Sequence, residues 1–279
     1  MTLAQRSIVP ITTDVTSQQS ALLTEPTAFP FVQKQLSMPP PWSDQLIQTW
    51  RDVMPADKEG FITHHYWTET GSINVFQVVG TDHWDYQGKT WLELLKAGKR
   101  MPHNLQKLSD NPDYYLKPVE RRPRIHYYTT DGMHFYVGAD GNHRTCIAKF
   151  FLYEQAKSQL HDVSLDHYRV DESFYQSYLQ LSSFIEKLVL PVKLRVERKQ
   201  VGRKDTHGWK VDEFVPSLVW LNYQTGEELF LDASSALSQL HSLSARLFME
   251  ETSQGDPKSA PIYRRLRNLV QTKLSFREK

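Results

Sequence analysis

A chain of 279 residues with 39% hydrophobic and 23% charged residues is long enough for one large domain or two small ones with a buried core. Its formal net charge of +1 argues against wholesale wrapping of nucleic acid but permits a local basic face. The single cysteine excludes an internal disulfide, and the sequence contains neither a long apolar run nor a secretory leader pattern. We therefore expect a soluble, cytoplasmic protein with no membrane partner.

Residues 1–40 are rich in Ser, Thr, Gln and Pro and lack a sustained helical period, which predicts an extended or partly disordered arm. Phe29, Phe31 and Val32 favour an arm that wraps the surface. A short helix is predicted after Ser43 from apolar residues at helical spacing, which are Leu46, Ile47, Trp50 and Val53.

Residues 61–67 and 73–79 have the composition of strands, and a turn near Gly71 predicts that they form a hairpin or two sequential strands. Asp82 and Asp85 follow directly, at a position where loops after strands often carry chemistry. Both are candidate ligands for Mg²⁺, and Asp82 is also a candidate base near a phosphate. The alternative is an Asp-rich turn that caps local N–H groups.

Residues 90–97 have the apolar spacing of an amphipathic helix, and two basic clusters follow it. Lys99 and Arg100 form the first cluster. The second precedes a strand predicted at 124–129 and consists of Arg121, Arg122 and Arg124. Such clusters are usually solvated, and the alternative is that a cluster at the entry to the sheet contacts the phosphates of a nucleic acid.

The stretch 134–151 organises the rest of the chain. It predicts a buried strand at 134–137, a glycine-rich turn at 138–141 and a helix that begins near Asn142. The first N–H groups of a helix have no intrahelical partner and lie at the positive end of its dipole. The arrangement therefore predicts an anion site.

Gly138 and Gly141 allow positive φ and the close approach of a phosphate to the backbone. His143 adds a donor that switches with pH, and Arg144 adds a fixed forked cation. The full set of candidate phosphate-binding residues is Gly138, Gly141, Asn142, His143, Arg144 and Thr145. The alternative is an ordinary glycine turn whose Asn or Asp only caps the helix.

Gly141-Asn142-His143-Arg144, followed by Ala148, resembles the G-x-H-R or G-x-R-R signature of the ParB/sulfiredoxin superfamily. That superfamily includes the nucleotide-binding domain of partition proteins, sulfiredoxin, free-serine kinases, and plasmid fertility-inhibition proteins described as nucleases or ATPases. The resemblance covers about residues 72–200, with the sharp motif at 138–148. It implies an α+β fold with a mixed sheet core, here elaborated by the arm and by a C-terminal hairpin and helices.

The resemblance implies a protein that binds the phosphates of a nucleotide or polynucleotide, such as an NTPase or DNase from a plasmid or other mobile element. It further implies Mg²⁺ or Mn²⁺ as cofactor, ATP or CTP as ligand, and DNA as a second ligand. The residues proposed for catalysis are Asp140, His143, Arg144 and Asp82. Sulfiredoxin has its catalytic cysteine where this chain has Asn142, and Cys146 falls a full turn into the helix, so sulfinic acid reduction is not expected.

After the helix that begins near Asn142, the sequence predicts a mobile link at 162–168, a helix with an aromatic face at 172–187 and a strand at 190–198. A basic loop at 199–210 and a hairpin at 214–222 and 228–231 follow. The last predicted elements are a helix capped by Asp232 or Ser234 and a basic helix at 262–276. In the basic loop, Lys199, Arg203 and Lys204 are candidate contacts to a nucleic-acid backbone, and a solvated loop is the alternative.

We expect an arm at 1–40, a helix and lead-in strand at 41–71, a ParB/sulfiredoxin-like core at 72–200, and an extension at 201–279 packed on the core. No helix-turn-helix is evident, which weakens a centromere-binding function. Three functions stay open. The first is an enzyme. The second is a DNA- or partner-binding protein that uses the site as a nucleotide switch. The third is an interaction protein, with a homodimer or another protein as partner, whose glycine turn binds nothing.

Overall fold

The computed structural model describes residues 25–253, which form a mixed α/β structure with a mixed sheet. These residues divide into two compact units. The first consists of residues 25–53, 66–167 and 206–210, and the second of residues 54–65, 168–205 and 211–253. The first 24 residues of the predicted arm and the predicted basic helix at 262–276 lie outside the described residues.

The strands in chain order are β1 (Gln48–Thr49), β2 (Ile62–Asn74), β3 (Val78–Thr81), β4 (His126–Thr129), β5 (Phe135–Val137), β6 (Gln159–Val170), β7 (Val192–Asp205), β8 (Lys210–Asn222) and β9 (Glu228–Leu231). The helices are α1 (Pro30–Ser37), α2 (Trp50–Val53), α3 (Trp91–Ala97), α4 (Met101–Asp110), α5 (Asp113–Leu116), α6 (Asn142–Glu154), α7 (Glu172–Lys187) and α8 (Ala233–Ser253). Short 3₁₀ helices lie at Pro26–Ala28, Lys58–Phe61, Val75–Gln77 and Trp84–Tyr86. Within the described part of the chain, no helix is both long enough and apolar enough to span a membrane.

The sheet of the first unit brings the ends of two parallel strands side by side. Its strand order is β1-β3-β5-β4-β6-β2, with β1/β3, β3/β5 and β4/β6 parallel and β4/β5 antiparallel. Thr81, the last residue of β3, lies opposite Val137, the last residue of β5. The loop after β3 and the turn after β5 therefore leave the sheet at one edge, where α/β proteins commonly bind ligands.

Helix α6 is the central helix of the first unit. It begins at Asn142, as predicted, and ten of its 13 residues are buried, which is expected for a helix surrounded by other elements. The core around it is apolar and includes Val78, Trp91, Leu94, Leu105, Tyr115, Ile147, Phe150 and Leu160.

The N-terminal segment packs onto this core from residue 25 onward. Phe29 and Val32 are buried, and the ring of Phe31 meets the ring of Phe151 edge-on at 6.4 Å. The arm therefore packs on the core over residues 25–40, as predicted. The prediction that it is extended is wrong there, because Pro30–Ser37 form helix α1, with Pro30 at the first position, where a helix tolerates proline.

The helix predicted after Ser43 is wrong in extent, because only the four residues of α2 are helical. The backbone before α2 pairs elsewhere. The Ile47 N–H donates to the Lys89 carbonyl at 2.8 Å, and the Gly88 N–H donates to the Ile47 carbonyl at 2.9 Å. These bonds hold residues 46–49 extended, so their apolar spacing does not produce a helix.

Of the two alternatives for 61–79, the hairpin is wrong, and the structure has two sequential strands, β2 and β3, that do not pair with each other. The turn predicted near Gly71 is also wrong, because β2 continues through Gly71. A Cβ atom at Gly71 would lie 2.5 Å from Leu165 Cδ1. Glycine is therefore used here for close packing inside a strand. The link predicted as mobile at 162–168 is part of β6, where Val163 and Leu165 are buried.

The second unit is built on α7 and α8, whose apolar faces share one core with Phe61. That core includes Phe174, Leu181, Phe184, Ile185, Leu218, Leu240 and Leu243. The predicted helix at 172–187, the antiparallel β8–β9 hairpin and the helix after Asp232 are confirmed. Because the aromatic stripe of α7 packs in this core, α7 and β7 belong to the second unit, whereas the sequence had placed them in a domain at 72–200.

The predicted basic loop at 199–210 differs from the structure, in which β7 runs to Asp205 and β8 begins at Lys210. Charged pairs join the two strands. Arg203 Nε lies 3.9 Å from an Asp212 carboxylate oxygen, and Lys204 Nζ donates to Glu213. Cross-strand pairs of opposite charge favour extended backbone, so only residues 206–209 form a turn.

Lys149 is the most deeply buried cation of helix α6. Its side chain is 2% exposed, and Nζ donates to the carbonyls of Val78 at 2.7 Å and Val75 at 3.2 Å. Nζ also lies 4.5 Å from the ring centroid of Trp91 and 5.2 Å from that of Trp42. Burial lowers the pKa of Lys149 from its ordinary value to about 7.

We expect the buried Lys149 ammonium to make stability depend on pH. Between about pH 7 and pH 10 the unfolded chain holds the Lys149 proton more tightly than the folded chain does. The free energy of unfolding should therefore rise with pH in this window, by up to about 1.4 kcal/mol per pH unit. In Lys149→Met this contribution should vanish, which urea unfolding at pH 7, 8 and 9 would measure.

The exposed Lys96 on α3 provides a matched control, and Lys96→Met should leave the wild-type pH dependence unchanged. If the free energy of unfolding changed equally with pH in the wild type and in Lys149→Met, the lowered pKa of a buried Lys149 would be contradicted.

Candidate functional site

A cavity of about 680 Å³ opens in the first unit beside the start of α6. Four segments line it: the turn after β3, the stretch from Lys99 through α4 to α5, Arg122 and Pro123 before β4, and the turn that leads into α6. The principal lining residues are His83, Asp85, Tyr86, Lys99, Arg100, His103, Asn104, Lys107, Asp110, Tyr114, Arg122, Asp140, Gly141, Asn142, His143 and Arg144. The predicted anion site therefore forms one wall of the cavity.

Asn142 anchors the start of α6 to both neighbouring strand ends. Its side chain is 4% exposed, Oδ1 accepts a hydrogen bond from the Thr81 hydroxyl at 2.6 Å, and Nδ2 donates to the Gly138 carbonyl at 3.1 Å. Both functional atoms of the amide are thus satisfied internally. Asn142 was predicted to hold phosphate. Its side chain instead fixes the helix start, and only its backbone N–H remains for a ligand.

Positive φ was predicted for Gly138 and Gly141, and only Gly141 has it. Gly141 precedes α6 with φ of 104°, and a Cβ atom there would lie 2.6 Å from Ile125 Cγ2. Gly138 has no positive φ, and its N–H donates to the His126 carbonyl at 2.9 Å. The predicted role of Gly138 in phosphate approach is corrected on this ground, because its N–H belongs to the sheet edge.

The first turn of α6 presents backbone donors to the cavity. Within residues 25–253, the N–H groups of Asn142, His143 and Arg144 have no acceptor, as expected for the first turn of a helix. The Thr145 N–H donates to the Gly141 carbonyl at 2.8 Å, and its hydroxyl lies 2.8 Å from the Tyr127 hydroxyl. Thr145 is fully buried, which places it in the core instead of in the predicted phosphate site.

His143 is neutral at physiological pH. Burial, followed by the nearby charges of Arg100 and His83, lowers the pKa of His143 to about 4. Nε2 accepts the backbone N–H of Arg100 at 3.3 Å, so the ring proton resides on Nδ1. The prediction that His143 changes its charge near neutral pH is therefore wrong. The neutral ring carries one hydrogen-bond donor, Nδ1–H.

Arg144 is held as a fixed cation. Its side chain is 11% exposed, and Nη1 donates to the Tyr114 hydroxyl at 3.0 Å and to the Pro123 carbonyl at 2.5 Å. Nη2 is buried without a hydrogen-bond partner in the described residues and lies 3.5 Å from Asp140 Oδ2. The guanidinium is therefore held in one position, next to the Asp140 carboxylate and the first turn of α6.

The predicted acidic residues do not share one site. Asp85 and Asp140 line the cavity, whereas Asp82 does not, and its carboxylate lies 3.4 Å from Arg51 Nε. Among residues 25–253, no group of three or more His, Cys, Asp or Glu side chains could hold a metal ion. Binding of Mg²⁺ by Asp82 and Asp85 stays a prediction.

Four of the five Lys and Arg residues that line the cavity lie outside α6. Lys99, Arg100 and Lys107 have no carboxylate within 4 Å in the described part of the chain, and Arg122 pairs with Glu120 at 3.0 Å. The lining contains five Lys and Arg side chains (these four and Arg144) against three Asp, so it carries two net positive charges at neutral pH. The cavity thus attracts anions even though the whole chain is nearly neutral.

The other predicted nucleic-acid contacts have different surroundings. Arg121 is fully buried, donates to the carbonyls of Tyr114 and His161, and so cannot reach a nucleic acid. Arg124 pairs with Glu69 at 2.6 Å. The remaining candidates, Lys199, Arg203 and Lys204, lie on β7 in the second unit.

The contribution of α4 to the cavity was not predicted from the sequence. Met101, Leu105 and Leu108 of α4 point into the core, while its other face presents His103 and Lys107, one turn apart, to the cavity. The spacing of these two residues opposite an apolar stripe was the available signal.

The sequence matches no protein-family model, and neither the curated proteins nor the solved structures compared with it include a significant match.

We expect Gly141→Ala to destabilise the first unit by about 2–4 kcal/mol, because the new Cβ adds left-handed strain and a clash with Ile125. Thermal and urea unfolding would measure the loss. Gly88→Ala is the matched control. Gly88 has φ of 72° with open space around it, so that variant should lose only about 1 kcal/mol. Equal losses would contradict the tight packing of the turn.

Proposed function

We propose that the cavity binds the phosphate groups of a nucleotide or polynucleotide. The observation that carries this proposal is that three unpaired N–H groups of a 13-residue helix share one cavity with five Lys and Arg side chains and only three carboxylates. Helix N-termini and forked guanidinium groups are the common protein donors to phosphate.

The rigidity of the donors supports the proposal. Asn142 fixes the helix start, and Arg144 is held by Tyr114 and Pro123 before any ligand arrives. A preorganised donor set loses little freedom on binding, which favours affinity. The volume of about 680 Å³ lies in the range of small-molecule sites and suits a ligand of nucleotide size.

We further propose that the first unit is a distant ParB/sulfiredoxin-like domain. The support is local: a strand that ends at Val137, a turn with Gly141 at positive φ, and a helix that opens with Asn142, His143 and Arg144. The fold of the superfamily beyond this strand, turn and helix stays a proposal.

Phosphate hydrolysis or transfer is the second candidate function. It is favoured by Asp85 and Asp140, which place carboxylates in the same cavity as the cations. Mg²⁺ is usually held by one or two carboxylates together with ligand phosphates, so these residues could bind a metal only alongside a bound phosphate. Asp140 and Arg144 are the residues of the predicted catalytic set that line the cavity next to each other.

Ligand binding to the folded state raises the melting temperature, so a thermal-shift screen tests the binding proposal. ATP, CTP, GTP, ADP and pyrophosphate should be compared with and without Mg²⁺. We expect at least one to stabilise the wild type and Arg144→Ala to bind it about 10- to 150-fold more weakly, because a charge-assisted bond to phosphate is lost.

Two further variants separate binding from folding. Lys107→Ala removes an exposed charge and should weaken binding about two- to fivefold without lowering the melting temperature of the free protein. Arg124→Ala, which removes a cation that does not line the cavity, should leave affinity unchanged. Affinity that equals that of the wild type in both Arg144→Ala and Lys107→Ala would refute the assignment of the cavity.

Turnover requires its own measurement. Release of inorganic phosphate from the stabilising nucleotide, and nicking of plasmid DNA, should be followed with Mg²⁺, with Mn²⁺ and with EDTA. If the enzyme proposal holds, product should form with metal and fall at least tenfold in Asp140→Asn, while nucleotide still binds. Tight binding without product over hours would leave a binding protein.

A further inference from the structure

Trp84 is the most exposed large hydrophobic side chain described in the first unit, at 79%. It lies in the 3₁₀ turn Trp84–Tyr86 after β3 and is flanked by His83 and Asp85, which line the cavity. Trp84 itself is not a lining residue. The indole is therefore exposed between two residues that line the cavity, and burial within the unit does not explain it.

The turn holds Trp84 outward through its neighbours. The His83 N–H donates to the Thr81 hydroxyl at 3.0 Å, and His83 Nδ1 accepts the Asp85 N–H at 3.2 Å. The Tyr86 ring packs against His83 at 4.6 Å and against His143 at 5.2 Å. Since these contacts fix the residues on both sides, Trp84 is presented on a short, braced turn.

A flat exposed aromatic ring beside a basic groove is the combination that single-stranded nucleic acids bind. The groove supplies cations for the backbone phosphates, and the ring supplies a stacking surface that every base can use. Here the cations in the lining include Lys99, Arg100 and Lys107, together with Arg144 of α6. An exposed tryptophan alone would carry less weight, because single apolar residues on a surface are common.

We propose that the ligand is a single-stranded polynucleotide, with its phosphate in the cavity and an adjacent base stacked on Trp84 outside it. This inference rests on the proposed phosphate-binding function. A free mononucleotide with its phosphate beside α6 fits within the cavity and leaves Trp84 unused, whereas a strand that continues past the rim reaches the indole. Inside the cavity, Tyr86 and Tyr114 offer rings to a second base.

The test is fluorescence anisotropy with three labelled octamers: oligo(dT), oligo(U), and an abasic DNA with the same phosphates. The wild type should bind oligo(dT) more tightly than the abasic strand. Trp84→Ala should weaken oligo(dT) binding about 5- to 150-fold and leave the abasic strand and pyrophosphate unaffected. Trp84→Phe should retain most of the affinity.

Trp209→Ala is the matched control, since Trp209 is an exposed tryptophan of the same unit that does not line the cavity. It should bind like the wild type. Pyrophosphate should compete with oligo(dT), because both use the cavity, and the ratio of oligo(dT) to oligo(U) affinity identifies DNA or RNA as the strand.

The failures of the two proposals are distinguishable. Arg144-dependent binding of pyrophosphate together with unchanged oligo(dT) affinity in Trp84→Ala overturns the stacking inference alone. Equal weakening of the oligo(dT) and abasic strands by Trp84→Ala also overturns it, because the effect then is not base stacking. Absence of binding to pyrophosphate and to all three octamers overturns both proposals.

Discussion

The candidate site depends on the buried side chain of Asn142. Its amide joins Thr81 at the end of β3 and Gly138 after β5 to the first turn of α6. Each such buried bond contributes about 1 kcal/mol, and a partner left unpaired costs about 1–3 kcal/mol. The larger consequence is geometric. The same amide that ties two strand ends together also sets where the free N–H groups of the helix lie.

Around this fixed helix start, burial decides which charges can act. His143 is neutral because its site disfavours the imidazolium, so positive charge comes from Arg144 and from lining residues outside α6, such as Lys99 and Lys107. Deeper in α6, Lys149 donates to backbone carbonyls, lies beside tryptophan rings and does not line the cavity. One helix thus carries one cation that serves packing and another that lines the cavity.

Local patterns in the sequence predicted what local chemistry determines. The strand, glycine turn and helix of 134–151 follow from apolar runs and from the need for positive φ at Gly141, and the structure has all three. The burial of Arg121 and Thr145 depends on tertiary packing. A single sequence does not show that one arginine of a basic cluster is buried, or that the Thr145 hydroxyl contacts the Tyr127 hydroxyl. Gly71 led to the prediction of a turn, but the glycine is needed for close packing against Leu165 inside strand β2.

Amide NMR of the ¹⁵N-labelled protein during a pyrophosphate titration would show whether the first turn of α6 receives phosphate. We expect saturable downfield shifts of the Asn142, His143 and Arg144 amide protons, because these groups gain a charged acceptor. The Thr145 amide, which already bonds the Gly141 carbonyl, should move less. Saturable shifts confined to other residues, with the 142–144 amides unchanged, would show that phosphate binds elsewhere and would refute the proposed site.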